Sequence, residues 1–215
     1  MGNGISYAQA FYKILIRPKE TMQALVDQDP GYGKWILIPV YTFLAGFNPD
    51  LYLVLLKYLP PLGTLITEVI LLMAVGLFFF WFTAVCAFLI GKWLGGTGVL
   101  KDVATAYAWA YVPCFAALVL LRASEIPKWS LIFGGETDLQ TVLAAGGFMP
   151  LIVWLPNFAL YAWSLVLAAF GISAAHRISV GKGFGVMGIY IGFIFLVSVI
   201  LGVVLVFVIL RSTHY

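Results

Sequence analysis

Charged residues are scarce in this chain: Asp, Glu, Lys and Arg make up 10% of its 215 residues, whereas hydrophobic residues make up 63%. Soluble domains carry about 25% charged residues, so the composition excludes an ordinary soluble domain. The few charges fall between five apolar blocks, roughly 35–47, 62–90, 103–121, 148–172 and 185–210. A helix needs about 20 apolar residues to cross a bilayer, and four of the blocks reach this length. The sequence therefore predicts an all-α polytopic membrane helix bundle with about five transmembrane helices.

Cysteine and histidine are also rare, with two residues of each. Both cysteines, Cys86 and Cys114, fall inside apolar blocks, where a free thiol packs as a small apolar side chain. No cysteine–histidine spacing of a zinc site occurs. We therefore expect neither a metal nor a cofactor.

Catalytic motifs are missing as well, since the chain has no His-Glu-x-x-His, Gly-x-Ser-x-Gly or P-loop pattern. Residues 183–188 fit the pattern Gly-x-Gly-x-x-Gly, but a dinucleotide site needs a preceding strand and a downstream acid. Here the motif opens an apolar block that no acidic residue follows. The sequence thus predicts no catalytic residues and a protein that is not an enzyme. The small net charge of +3 predicts no nucleic-acid surface.

Two regions are predicted, a cytoplasmic amphipathic segment at 1–34 and a five-helix transmembrane domain at 35–215. Before the first apolar block, apolar residues recur at helical spacing beside Lys13, Arg17 and Lys19. A basic amphipathic helix in this position predicts one that lies in the headgroup plane of the inner leaflet. A helix packed on the protein's own loops explains the same pattern equally well.

The charges between the blocks predict the orientation. The expected spans are about 33–48, 62–90, 103–121, 148–172 and 185–210. With a cytoplasmic N-terminus, eight of the 12 Lys and Arg residues fall inside, namely Lys13, Arg17, Lys19, Lys34, Lys92, Lys101, Arg177 and Lys182. Lys57, Arg122, Lys128 and Arg211 then fall outside. Because cationic residues favour the cytoplasmic side, the N-terminus is expected inside and the C-terminus outside.

The first apolar block leaves two readings open. Residues 35–47 make only about 20 Å of helix, whereas the hydrocarbon core is about 30 Å thick. Asn48 precedes a proline, and such a residue is biased away from the α conformation. One reading has a short span that ends near Asn48, followed by an outer interfacial helix at 51–58. The other has a single kinked span to about Leu59, which would bury Asp50.

Three polar residues within the apolar blocks are candidates for function, namely Glu68, Tyr111 and Asn157. Polar groups inside a membrane often mark a transport path, so these residues would line the path of a transporter. The alternative is structural: Glu68 is a paired or interfacial carboxylate, and Asn157 satisfies backbone groups beside a proline. Pro113 is expected to kink the third span.

Three stretches carry a resemblance to a known family. The first is Gly91-Lys-Trp-Leu-Gly-Gly-Thr-Gly98 followed by Leu100-Lys-Asp102, the second is Arg17–Met22, and the third runs from Trp163 to Lys182. In order and spacing these stretches resemble the Yip family, the Rab-interacting membrane proteins and their bacterial relatives. The resemblance covers roughly residues 11–200.

The resemblance implies five membrane helices, a cytoplasmic N-terminus and a tendency to self-associate, so a homo-oligomer is possible. Gly188-x-x-x-Gly192 offers a small-residue face to a helix of the same chain or of a second copy. Eukaryotic members act in vesicle traffic through small GTPases, but this chain lacks their acidic Asp-Leu-Tyr-Gly-Pro motif. It is more similar to the compact prokaryotic form, which implies a location in the prokaryotic cytoplasmic membrane.

The charged segments between the apolar blocks hold better functional candidates than the blocks themselves. We expect anionic lipid headgroups or a protein partner to bind the loop residues Lys92, Lys101, His176, Arg177 and Lys182, because cations near a membrane attract anionic lipids. The expected function is therefore the non-enzymatic organisation of membrane lipids, or the recruitment of partners, at the cytoplasmic face. The alternative is a small transporter or channel for an ion, a small solute or a lipid, lined by the three intramembrane polar residues.

Overall fold

A computed structural model describes residues 5–28, 33–46, 48–135, 137–145 and 150–212. These residues form eleven helices and no strand: α1 Tyr7–Ile16, α2 Pro18–Gln28, α3 Lys34–Gly46, α4 Pro49–Leu56, α5 Pro61–Trp93, α6 Leu100–Ala110, α7 Val112–Ser124, α8 Ile126–Phe133, α9 Leu139–Ala145, α10 Pro150–His176 and α11 Val180–Ser212. Parts of three predicted regions lie outside the described residues, namely 1–4 and 29–32 of the N-terminal segment, 47 of the first span, and 148–149 of the fourth.

The two N-terminal helices differ in how they are packed. Ser6 caps α1, because its hydroxyl accepts from the Gln9 N–H while the Gln9 side chain accepts from the Ser6 N–H, each at 3.4 Å. Pro18 opens α2, where its fixed φ suits the first helical turn. Met22 and Leu25 of α2 are fully buried, and the helix packs against α6 and α10. α2 is therefore packed on the protein, whereas α1 leaves most of its apolar side chains exposed.

The first apolar block and the residues that follow it form two helices, α3 and α4. The Asn48 side chain caps α4 by accepting from the Asp50 N–H at 2.9 Å and from the Leu51 N–H at 3.2 Å. Pro49 occupies the first turn. α3 and α4 together are long and apolar enough for one span with a bend of 66°, so a short span with an interfacial helix and a single kinked span both stay predictions.

The long helices fit a membrane protein. α5, α10 and α11 are each long and apolar enough to cross a bilayer, and two bent pairs, α3 with α4 and α6 with α7, raise the number of candidate spans to five if each pair counts as one. α6 and α7 are bent by 41° at Tyr111, two residues before Pro113, whose missing N–H interrupts the helical hydrogen bonds. The predicted fold class, an all-α membrane helix bundle, is confirmed with three to five candidate spans.

The centre of the bundle is built from small side chains on α6. Every residue from Val103 to Ala110 is buried. Gly171 of α10 faces Ala106 so closely that a Cβ on Gly171 would lie 2.8 Å from the Ala106 Cβ. Small residues let two membrane helices approach in this way, and α6 thereby holds α10 and α2 in place.

Ion pairs join α4, α7 and α8 at one end of the bundle. Lys128 Nζ lies 3.0 Å from one carboxylate oxygen of Asp50, and Arg122 forms an ion pair with Glu125. Arg122 also donates to the Ala45 carbonyl at 3.4 Å. Asp50 is therefore paired, which explains how an acid is accommodated in the short apolar helix α4.

The glycine pair of α11 has no packing role within the described part of the chain. A Cβ added at Gly188 or at Gly192 would meet nothing within 4 Å. No other described helix therefore packs on this small-residue face. Of the two expected uses, packing against a helix of the same chain is not observed among the described residues.

Candidate functional site

Two loops lie against each other at one end of the bundle. Residues 94–99 connect α5 to α6, and residues 177–179 connect α10 to α11. With the helix ends that flank them, the two loops span residues 91–102 and 176–182. The Thr97 N–H donates to the His176 carbonyl at 3.0 Å, and Lys182 Nζ donates to the Leu94 carbonyl at 2.9 Å. We call the surface formed by these two loops the loop face. It carries all five loop candidates, Lys92, Lys101, His176, Arg177 and Lys182.

His176 differs from the other four candidates because it is fully buried. Its ring stacks on Phe88, with the ring centroids 5.9 Å apart. A Cβ on Gly96 would lie 2.5 Å from the His176 Nδ1, and one on Gly91 would overlap the other side of the ring. The ring thus fills a pocket that exists because these two positions have no side chain, and it packs the two loops together without reaching the surface.

Two further glycines shape the same loop. Gly95 has a φ of +88°, a left-handed conformation that glycine adopts without steric cost. Gly98 lies directly against α10, where an added Cβ would overlap the Ala175 carbonyl oxygen. Gly95 thus makes the turn between the two helices, whereas nothing near Gly98 in the sequence indicates its close approach to α10.

The remaining four candidates are exposed cations. Lys92, Lys101, Arg177 and Lys182 all have exposed side chains. Within the described part of the chain, Arg177 alone among them approaches a carboxylate, that of Asp27 at 4.0 Å. Both partners of this pair are largely exposed, so their attraction is weak. The Asp102 carboxylate, on the same face, also interacts with Arg177. The loop face therefore presents four cations beside the two carboxylates of Asp27 and Asp102.

The three intramembrane polar candidates lie apart from one another. Glu68 accepts from the Asn48 N–H at 2.9 Å, and Asn157 donates to the Val153 carbonyl at 2.7 Å within its own helix. Tyr111 stacks on Tyr41, with ring centroids 4.3 Å apart. Tyr111 lines a cavity of about 300 Å³ between α3 and α5 that neither Glu68 nor Asn157 reaches. Among the described residues, no three His, Cys, Asp or Glu side chains come together as metal ligands would.

We expect the removal of the Glu68 carboxylate to destabilise the protein through its bond to Asn48. Glu68 is fully buried, so Glu68→Ala leaves the Asn48 N–H without its acceptor and should lower the free energy of unfolding by about 1–3 kcal/mol. Glu68→Gln keeps an acceptor oxygen in place and should lower it by less. Equilibrium unfolding in mixed micelles measures both. Equal losses in the two variants would instead assign the effect to the charge of Glu68, which lies near Arg122.

Comparison with known proteins identifies the family. Residues 12–203 match the Yip1 domain, a range that includes both loops of the loop face and all of α2 to α10. No curated protein and no solved structure matches the chain. The chain therefore belongs to the Yip1 domain family, as its loop residues indicated, and is an integral membrane protein.

Proposed function

We propose that this protein organises anionic membrane lipids at its loop face, by a non-enzymatic mechanism. The observation that carries the proposal is the grouping of four exposed cations, from two loops far apart in sequence, on one surface held together by buried His176. Cations beside a bilayer attract anionic lipids, each adding about 1 kcal/mol near the surface. Lys92, Lys101, Arg177 and Lys182 would act together on the headgroups.

The neighbours of Lys92 support a position at the membrane interface. Trp93 is 78% exposed and Leu89 is 58% exposed on the same end of α5. Tryptophan concentrates where headgroups meet hydrocarbon, because its ring is apolar and its N–H needs a polar partner. A lysine followed by an exposed tryptophan fits this boundary, where headgroup phosphates lie within reach of the loop cations.

The loop face is proposed to be cytoplasmic. Its four cations belong to the larger group of Lys and Arg residues that a cytoplasmic N-terminus would place inside. The opposite orientation, with the N-terminus outside, would place these four residues and the basic N-terminal segment on the outer surface. A prokaryotic cytoplasmic membrane remains the proposed location.

Transport is not proposed, because no observation favours it. A path across the membrane needs polar groups that succeed one another in depth. In the described structure Glu68, Tyr111 and Asn157 serve separate local contacts. The cavity that contains Tyr111 is lined mainly by apolar residues of α3 and α5.

Neutralising two loop cations should weaken the binding of anionic lipid. We expect Lys92→Gln with Lys101→Gln to reduce the affinity for phosphatidylglycerol by more than roughly tenfold, as measured by native mass spectrometry of lipid titrations against phosphatidylcholine. The matched control is Lys57→Gln with Arg211→Gln, which removes two exposed cations elsewhere on the chain. Equal affinity in the two double variants, with unchanged thermal stability, would overturn the proposal.

A further inference from the structure

α1 exposes about half of its circumference as an apolar surface. At about 100° per residue, five large side chains form one continuous arc, which we call the α1 arc: Tyr7, Phe11, Tyr12, Leu15 and Ile16, between 38% and 68% exposed. Gln9 and Lys13 border this arc. The buried side of the helix is carried by Ala10 and Ile14. Such a surface is unfavourable in water.

The α1 arc is continuous with a surface that belongs to a candidate span. Tyr7 and Phe11 share a recess of about 430 Å³ with apolar residues of α3 and α7, namely Ile36, Leu37, Val40 and Phe115. Ile36 and Val40 are 59% and 44% exposed, as expected for residues of a span that contact lipid. The same lipid that contacts these α3 residues would then meet α1.

The length of α3 leaves room for α1 within the membrane. About 36 Å of α5 separates Glu68 from Lys92, and no charged residue lies between them. α3 runs beside only part of this length, because Trp35 near its start packs on Trp81, with the ring centroids 6.3 Å apart. Trp81 lies about 16 Å of helix from Lys92. α3 therefore begins beside the middle of the charge-free stretch of α5. Its first residue, Lys34, is buried, and its charge interacts with that of Asp102 near the loop face.

α1 lies at the level where α3 begins. The rings of Tyr7 and Phe11 lie 6.1 Å and 5.4 Å from the Trp109 ring, and Gly33, one residue before α3, faces the same indole. Trp109 is about 12 Å of helix from Lys101 on the loop face. α1 is thus positioned between the loop cations and the start of α3.

We propose that α1 is embedded in the leaflet on the loop-face side, where the α1 arc contacts phospholipid acyl chains. Gln9 and Lys13 then face the headgroups, and α1 occupies the half-membrane space that α3 leaves open. An amphipathic helix in a single leaflet binds in a way that depends on curvature and lipid packing. This proposal goes beyond the proposed function, because it concerns α1 and its acyl-chain contacts and stands whether or not the loop cations bind headgroups.

Single-cysteine variants of the full chain in liposomes test this placement. With Cys86 and Cys114 replaced by alanine, Tyr12→Cys and Ile16→Cys probe the arc, and Gln9→Cys and Lys13→Cys probe its polar border. A water-soluble maleimide should label the arc positions more than roughly tenfold more slowly than the border positions. Spin labels on the arc should collide with oxygen more than with a water-soluble nickel chelate.

Two results would overturn the proposal. Arc labels as accessible to nickel as border labels would place α1 in water, and arc labels shielded from both oxygen and nickel would place it against protein. A second measurement uses the protein without substitutions. It is reconstituted with a phospholipid that has a diazirine in its acyl chain, and the diazirine is then photolysed. Mass spectrometry should find adducts at Tyr12, Leu15 and Ile16 and none at Gln9, and adducts absent from the arc would also contradict the proposal.

Discussion

Replacing Gly98 by alanine is expected to lower the free energy of unfolding by about 3 kcal/mol, near the upper end of the usual cost of overpacking. The added Cβ would overlap the Ala175 carbonyl oxygen, and this backbone atom cannot rotate away as the tip of a side chain can. The loop at 94–99 and the end of α10 would therefore have to separate. Unfolding by SDS in mixed micelles measures the loss.

Gly181→Ala is the matched control for Gly98→Ala, because a Cβ at Gly181 meets nothing within 4 Å. Alanine also suits a helix better than glycine by up to about 1 kcal/mol, so this variant should be neutral or slightly stabilised. Similar losses at Gly98 and Gly181 would contradict the close approach seen at the loop face.

The pocket around His176 predicts that Gly96 and Gly98 depend differently on this histidine. Gly96→Ala and Gly98→Ala should both destabilise the protein, but the first by displacing the His176 ring and the second by displacing the α10 backbone. In a His176→Ala background the cost of Gly96→Ala should therefore fall, whereas the cost of Gly98→Ala should persist. Equal coupling of both glycines to His176, measured by double-mutant cycles, would refute this division.

The second large effect is expected from Trp109→Ala, which should lower the free energy of unfolding by about 3–5 kcal/mol. Trp109 is fully buried, and its ring supports Tyr7 and Phe11 of α1. Removal of the indole leaves a cavity and takes away the platform on which α1 rests. Trypsin cleavage after Lys13 should accelerate, which unfolding measurements alone would not reveal.

Trp93→Ala provides the control for Trp109→Ala, because 78% of Trp93 is exposed. A substitution at such a position usually changes stability by less than about 0.5 kcal/mol, and trypsin cleavage of α1 should not change. If Trp109→Ala left the cleavage rate unaltered, α1 would be held by contacts other than the indole.

Features that depend on neighbours in sequence could be predicted from the sequence. The cap of α4 follows from Asn48 and Pro49, and the bend between α6 and α7 follows from Pro113, because each acts within one helical turn. The motif at 91–102 likewise indicated the family, and its glycines permit the turn at Gly95. Local backbone chemistry is sufficient for all of these.

Features that depend on distant residues could not be predicted. The partner of Asp50 is Lys128, 78 residues away, and the acceptor for the Asn48 N–H is Glu68, 20 residues away. His176 was placed among the ligand candidates because it flanks a span, but nothing near it in sequence indicates that glycines of another loop enclose its ring. The packing of α2 on the core likewise depends on how α6 and α10 approach each other.

The bond between Thr97 and His176 also sets an order of assembly. The two residues are 79 positions apart, so α5 and α6 are synthesised well before α10 supplies the carbonyl and the imidazole that complete their loop. During that interval the glycines at 91, 96 and 98 have no partner, and the hairpin of α5 and α6 must wait in the bilayer with its loop open. Contacts of such long range close slowly, which makes this junction a late step in the assembly of the bundle.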